Sequence, residues 1–246
     1  MNTLTLNLRR QTLQPDAHNR NGWQVETRRR VIPAAQTALI LCDVWDKHWC
    51  RGANERLAVI VPRMDLVVST LRERGVQVIH APSETMDFYA NSEARHRMTS
   101  TPSMPLPTSK ERPDPPMPID DSDGGSDTFE VDSHKTWSRQ HPGISIDEKR
   151  DAISDDGPQI YSYCAQKHIE NLLVMGVHTN MCILNRTFGI KQMTRWAMNA
   201  ILIRDLTDTM YNPARLPYVN HDEGTRLVVE YIEKFWCPTV YSRDLV

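Results

Sequence analysis

The sequence predicts an α/β protein with a mostly parallel, doubly wound sheet and helices on both faces, a three-layer α/β/α arrangement. Three observations predict it. Short apolar runs without polar alternation recur at 37–44 (TALILCDV), 76–82 (VQVIHAP), 171–177 (NLLVMGV) and 199–206 (NAILIRDL), as strands buried on both faces require. Helical spacing fills the stretches between them, which is the pattern of a parallel sheet with crossover helices. Two of the runs close on an acid, and a third on a polar turn, where such sheets build their sites.

In chain order, residues 1–35 read as an extended arm, polar and carrying Arg28, Arg29 and Arg30. A single domain is expected over 36–246. Its first strand, 37–44, delivers Asp43. A helix over 55–74 follows from the apolar positions Leu57, Ile60, Val61, Met64, Val67, Val68 and Leu71, closed by Gly75. The strand 76–82 comes next. Residues 101–132 combine many prolines with the acidic run IDDSDGGSD, so an insertion at about 100–135 reads as a long loop. A short strand is expected at 144–147 and a helix over 157–168. The strand 171–177 leads into a helix over 181–197, and the strand 199–206 ends near Asp205 and Asp208. A helix over 225–235 and a short strand at 239–241 complete the pattern. No internal repeat is visible.

Composition narrows the function class. The formal net charge of -2 gives no broad basic field, so nucleic acid is not an expected partner. No apolar run reaches the length of a membrane span, and the polar N-terminus lacks the apolar core of a signal peptide. The five cysteines are scattered and form no CxxC pair, which points to free thiols and a reducing, cytoplasmic setting. No phosphate-binding glycine motif follows any strand.

Cys182 sits just after a strand and a turn, at the first turn of the expected helix. Amides there stabilise a thiolate and can hold an oxyanion. A buried structural cysteine is the competing reading. Asp43 closes the first strand, where it serves either as a cap or as a proton acceptor. Together they place a thiol and a carboxylate at the ends of two parallel strands. Trp45 and Trp49 follow Asp43 and are candidate substrate contacts, as is Asn180; packing is the alternative for the tryptophans. Trp137, His141, Tyr211 and Asn212 are weaker pocket candidates. Asp46 and His48, or His80, Asp87 and His96, are too few or wrongly spaced for a metal site, and the acidic loop with Asp120, Asp121 and Asp123 misses the calcium-loop spacing. No metal and no cofactor is predicted.

ALILCDVWD (38–46), LLVMGVHTNMCILNRTFGI (172–190) and NAILIRDLTDT (199–209) together resemble the isochorismatase-like cysteine hydrolases, which include nicotinamidases and N-carbamoylsarcosine amidohydrolase. The resemblance runs over about 37–240 and is most specific in GVHTNMC. It implies a Cys-Asp-Lys triad of Cys182, Asp43 and a lysine following a short strand, for which Lys149 is the candidate. A solvated charge cluster is the alternative reading of Lys149, with Asp147, Glu148, Arg150 and Asp151 around it. The resemblance also implies a cis peptide at Val177-His178, and an oxyanion site from the backbone near Val177, His178 and Met181. The activity implied is hydrolysis of a carbon-nitrogen bond in a small amide or ureido substrate, by a homo-oligomer. Two other readings stay open: a catalytically silent binding protein on the same fold, and an Asp-dependent vinyl-ether hydrolase that needs no thiol.

Overall fold

The computed structural model describes residues 2–131 and 133–246, so Asp132 at the end of the expected loop and Met1 of the expected arm lie outside the described residues. One eight-stranded sheet has the order β2-β1-β8-β7-β6-β3-β4-β5. Its strands are β1 (Thr3–Pro15), β2 (Asn21–Pro33), β3 (Thr37–Cys42), β4 (Gln77–Ala81), β5 (Ala152–Ile153), β6 (Asn171–Val177), β7 (Asn199–Asp208) and β8 (Thr239–Val240). Pairings among β3 to β8 are all parallel, while the β1–β2 hairpin and its contact with β8 are antiparallel.

The central strands show why their sequences are apolar throughout. Along β3, Ala38, Ile40 and Cys42 enter one core while Leu39 and Leu41 enter the other. β6 divides likewise, with Leu172 and Val174 on one side and Leu173, Met175 and Val177 on the other. Two-sided burial demands unbroken hydrophobicity, since side chains alternate between faces. Helix α1 (Arg51–Glu73) covers one face through Leu57, Val61, Met64, Val68 and Leu71. Helices α3 (Gly157–Gln166), α5 (Ile190–Arg195) and α6 (His221–Phe235) cover the other through Ile160, Met193, Val228 and Ile232. The short α2 (Glu93–Thr99) precedes the Pro-rich stretch, which carries no regular element. Among the described residues no helix is long and apolar enough to cross a membrane.

Four expectations need correction. Residues 1–35 are no simple arm: β1 and β2 form a long hairpin whose Leu4, Leu6 and Leu8 are buried in the core. That alternation is a strand's signature, but the outward side is polar and masks it. Residues 144–147 are irregular, and the strand lies later, at β5. Helix α1 begins earlier than expected, capped by the Cys50 sulfur, which accepts from the Ala53 amide. The helix expected over 181–197 is two pieces, α4 (Cys182–Asn185) and α5, separated at 186–189. Arg186 leaves helical geometry at φ -59°, ψ 156°. A Cβ at Gly189 would come within 2.9 Å of the Ile183 and Leu184 carbonyl oxygens, so the close return of the chain requires glycine there.

Candidate active site

β3 and β6 lie side by side in register, Cys42 beside Gly176, and this sets the two halves of the site next to each other. The contact is intimate. Gly176 has φ +129°, and a Cβ there would fall 1.9 Å from the Cys42 carbonyl oxygen. Only glycine lets the two strands approach this closely immediately before the residues that carry chemistry.

Asp43 follows β3 with φ +50°, a left-handed conformation that turns its carboxylate out of the strand line. It is fully buried. Oδ1 accepts from the Ser83 amide at 2.7 Å, and Oδ2 accepts from Arg186 Nε at 2.8 Å. The Cys182 thiol neighbours this carboxylate closely enough for each to shift the other's titration. Burial pushes the Asp43 carboxyl above its ordinary range, while the Arg186 charge, the hydrogen bonding from Ser83 and the Cys182 thiol pull it part of the way back.

Cys182 opens α4 and is the one cysteine of the five that is not fully buried. Its thiol is pushed up to about 12, first by burial and then by the Asp43 charge; Arg186 and the His178 N–H act the other way. The resting sulfur is therefore a thiol, beside the Asp43 carboxyl group. α4 has a single turn, so its dipole contributes little, and the neighbouring guanidinium supplies the positive field that the sequence reading assigned to a helix terminus.

The Val177-His178 peptide is cis, as the resemblance implied. His178 N–H faces the Cys182 sulfur. The Cys182 amide, first in α4, donates to no group among the described residues, so these two N–H groups are the donors open to an oxyanion. Met181 is not: its amide is committed to the His178 carbonyl at 3.1 Å. The turn is propped by the end of β7. Thr179 N donates to the Asp208 carbonyl at 2.8 Å, and the Thr179 and Thr207 hydroxyls meet at 2.7 Å. Behind it, Arg56 bridges Asp208 and Asp127, and His221 Nε2 lies 2.9 Å from Asp208. Burial drives His178 down to about 3 and His48 to about 4, so both rings are neutral. Their rings meet edge to face at 4.8 Å.

Lys149 is not the third member. It is exposed, precedes β5, and lies with Gly75 and Gln77 at the edge of the sheet where strands begin. Asp43 and Cys182 are at the other edge, where strands end. Arg186 takes the cationic place. The break after α4 delivers it, four residues beyond Cys182, and no helical spacing in the sequence signals that placement.

Trp45 stands between the Asp43 neighbour Ser83 and Arg186. It is buried, donates from Nε1 to the Ser83 carbonyl at 3.1 Å, and lies 5.8 Å from the Arg186 guanidinium. Trp137, from the end of the Pro-rich insertion, stacks on it at 4.0 Å with planes 9° apart. Trp49 instead supports a neighbouring cluster with Cys50, Ala53, Met181 and Met210. The Asn180 amide donates to Asp121 and to the Met210 carbonyl and accepts from the Met210 amide, so its groups are spent on holding the loop. Asp205 accepts from Ser242 and stands outside the site. Asp46 is occupied by Ser138 and Arg139, and His80 lies between Gln140 and Asp151. Among the described residues no three His, Cys, Asp or Glu side chains are grouped to hold a metal ion.

No protein-family model matches this chain, and no curated protein does. Solved structures do. A cysteine hydrolase from Pseudomonas syringae pv. phaseolicola aligns with TM-score 0.55 at 13% identity, over 87% of this chain and 94% of that one. An isochorismatase from Pseudomonas putida aligns with TM-score 0.52 at 10% identity, over 87% and 92%. An isochorismatase-like hydrolase from Alkaliphilus metalliredigens aligns with TM-score 0.50 at 13% identity, over 85% and 94%. With the parallel sheet, the adjacent acid and thiol and the cis peptide in place, these likenesses show that the chain has the isochorismatase-like α/β fold.

Proposed function

We propose that this protein is a cysteine hydrolase that cleaves a carbon-nitrogen bond of a small amide or ureido substrate. The observation that carries the reading is the buried Asp43 carboxylate, which accepts from Arg186 Nε at 2.8 Å and stands close enough to the Cys182 thiol for each to shift the other's titration. Asp43 takes the proton as sulfur attacks the carbonyl carbon. The carbonyl electron pair moves to oxygen, which the His178 and Cys182 amides receive. Collapse of the tetrahedral species breaks the carbon-nitrogen bond, and Asp43 returns its proton to the departing nitrogen. Water then attacks the thioester, giving the acid and restoring the thiol. Arg186 keeps the buried carboxylate ionised between these transfers.

Trp45 and Trp137 supply a flat apolar wall, which suits a small planar carbonyl compound. In the same reading the protein needs no cofactor, acts on small molecules rather than nucleic acid or membrane, and works as a homo-oligomer in the cytoplasm.

A screen of small amides and ureides for ammonia release, run beside Cys182→Ala, tests the proposal. Release by the wild type and its loss in the variant are expected, together with a covalent adduct at Cys182 from an electrophilic amide analogue. Release that survives Cys182→Ala would overturn the mechanism and favour Asp-dependent chemistry.

A further inference from the structure

At the edge of the sheet opposite Cys182 a cleft of about 470 Å³ opens beside the starts of β3 and β4. Its lining is markedly cationic, with Arg72, Arg97, Lys149, Arg150 and Lys167 against the single acid Asp151. Two of these charges are already neutralised. Arg72 pairs with Asp151 at 2.6 Å, and Arg150 pairs with Glu73 at 2.9 Å and Asp147 at 2.6 Å. The other three have no carboxylate within ion-pair distance among the described residues. Arg97 donates to the carbonyls of Asp151, Glu148 and Lys149, which fixes its guanidinium without cancelling its charge. Lys167 lies over the Tyr163 ring at 5.2 Å. Lys149 is exposed, with only its backbone engaged. The nearby Glu148 carboxylate is turned away, accepting from Ser92 Oγ and the Ala94 amide.

Three uncompensated cations around one cleft, in a chain whose formal net charge is -2, form a local positive field that the overall composition does not produce. The fixed Arg97 guanidinium supplies charge rather than free N–H donors, and the two lysines lining the same cleft supply the mobile ammonium donors that phosphoryl oxygens accept. The cleft's volume falls in the range of small-molecule sites, roughly 300–1,000 Å³. We propose that this cleft binds a small, multiply charged anion bearing phosphoryl groups, at a site separate from the Cys182 crevice. Lys149, which the sequence offered for catalysis, is here a ligand-binding side chain.

Calorimetric titration of the full chain with inorganic pyrophosphate tests this. Saturable 1:1 binding is expected, weakened about tenfold or more in a Lys149→Glu/Lys167→Glu variant, the loss of two close charge contacts being worth at least ~1.4 kcal/mol. Lys110→Glu, an exposed charge reversal away from the cleft, serves as the control and leaves binding unchanged. Absence of binding at millimolar pyrophosphate overturns the proposal. So does equal weakening by Lys110→Glu, an unchanged affinity in the double variant, or tighter binding of an acidic polypeptide such as polyglutamate than of pyrophosphate. Because both substituted lysines are exposed or partly so at the surface, unaltered circular dichroism separates lost binding from lost folding. Ammonia release by the Cys182 site is read independently and does not enter the outcome.

Discussion

Replacing Arg186 by glutamine removes the only cation paired with Asp43 among the described residues and leaves that carboxylate fully buried. Opposite charges about 4 Å apart interact by about 4 kcal/mol at an effective dielectric of about 20. At about 1.4 kcal/mol per unit, that raises the Asp43 pKa by up to about 3 units. Burial has already lifted this group above its ordinary value with Arg186 in place, so the variant's carboxyl moves higher still. The ionised form is the proton acceptor, so activity is present above the Asp43 pKa and is lost as pH falls through it. The acid limb of kcat/KM, which reports the free enzyme, should therefore move to higher pH by about 2–3 units. Arg186→Lys keeps a charge but loses the fixed Nε geometry, and should recover at least half of the shift. Carboxyl-carbon NMR of Asp43, assigned with Asp43→Asn, reads the same titration with no substrate present. An acid limb and an Asp43 titration that both move by less than about half a unit in Arg186→Gln, against about 2–3 expected, would refute the role given to the guanidinium.

Lys149→Ala should leave kcat/KM for any released-ammonia substrate within about twofold, since the side chain is exposed at the far edge of the sheet; steady-state kinetics decide it. Gly176→Ala places a methyl 1.9 Å from the Cys42 carbonyl at φ +129°, so it should cost about 3 kcal/mol or more and lower Tm by roughly 6–12 °C in a thermal melt. Asp151 supplies acid sensitivity. Burial raises its carboxyl, but hydrogen bonds from His80 and Arg72 outweigh it and hold it at about 2, below the ordinary 3.8. A depressed folded value stabilises fully above about pH 4 and is lost as pH falls towards 2, which is worth about 2 kcal/mol in urea denaturation, and Asp151→Asn should show a shallower loss over that window.

Asp43 and Cys182 were legible because strand ends are legible: two-sided burial forces TALILC and NLLVMGV to be apolar, and the first polar residues after them mark the crevice. Arg186 was hidden by treating 181–197 as one helix. A continuous helix would carry that side chain along the surface, and only the irregular turn closed by Gly189 swings it to Asp43. Lys149 misled for the reverse reason. Its local setting after ISIDE looked like a strand end, but the strand comes later, so the lysine stands at a strand's beginning. The β1–β2 hairpin was obscured by its charged outer side, although Leu4, Leu6 and Leu8 carry the period of two. The Trp45–Trp137 stack joins residues far apart in sequence through an irregular excursion, which no periodicity encodes.

The broken helix after Cys182 has a consequence for how this molecule tolerates change. Acid, thiol and guanidinium all issue from two neighbouring strands and the short turns that follow them. The Pro-rich excursion brings Trp137 against Trp45. The excursion is nonetheless tied to that scaffold, since its Asp121 bonds Asn180 and its Asp127 pairs with Arg56 behind the turn that leads to Cys182, so a grafted excursion should leave Asp43, Cys182 and Arg186 in place only if it keeps those two carboxylates.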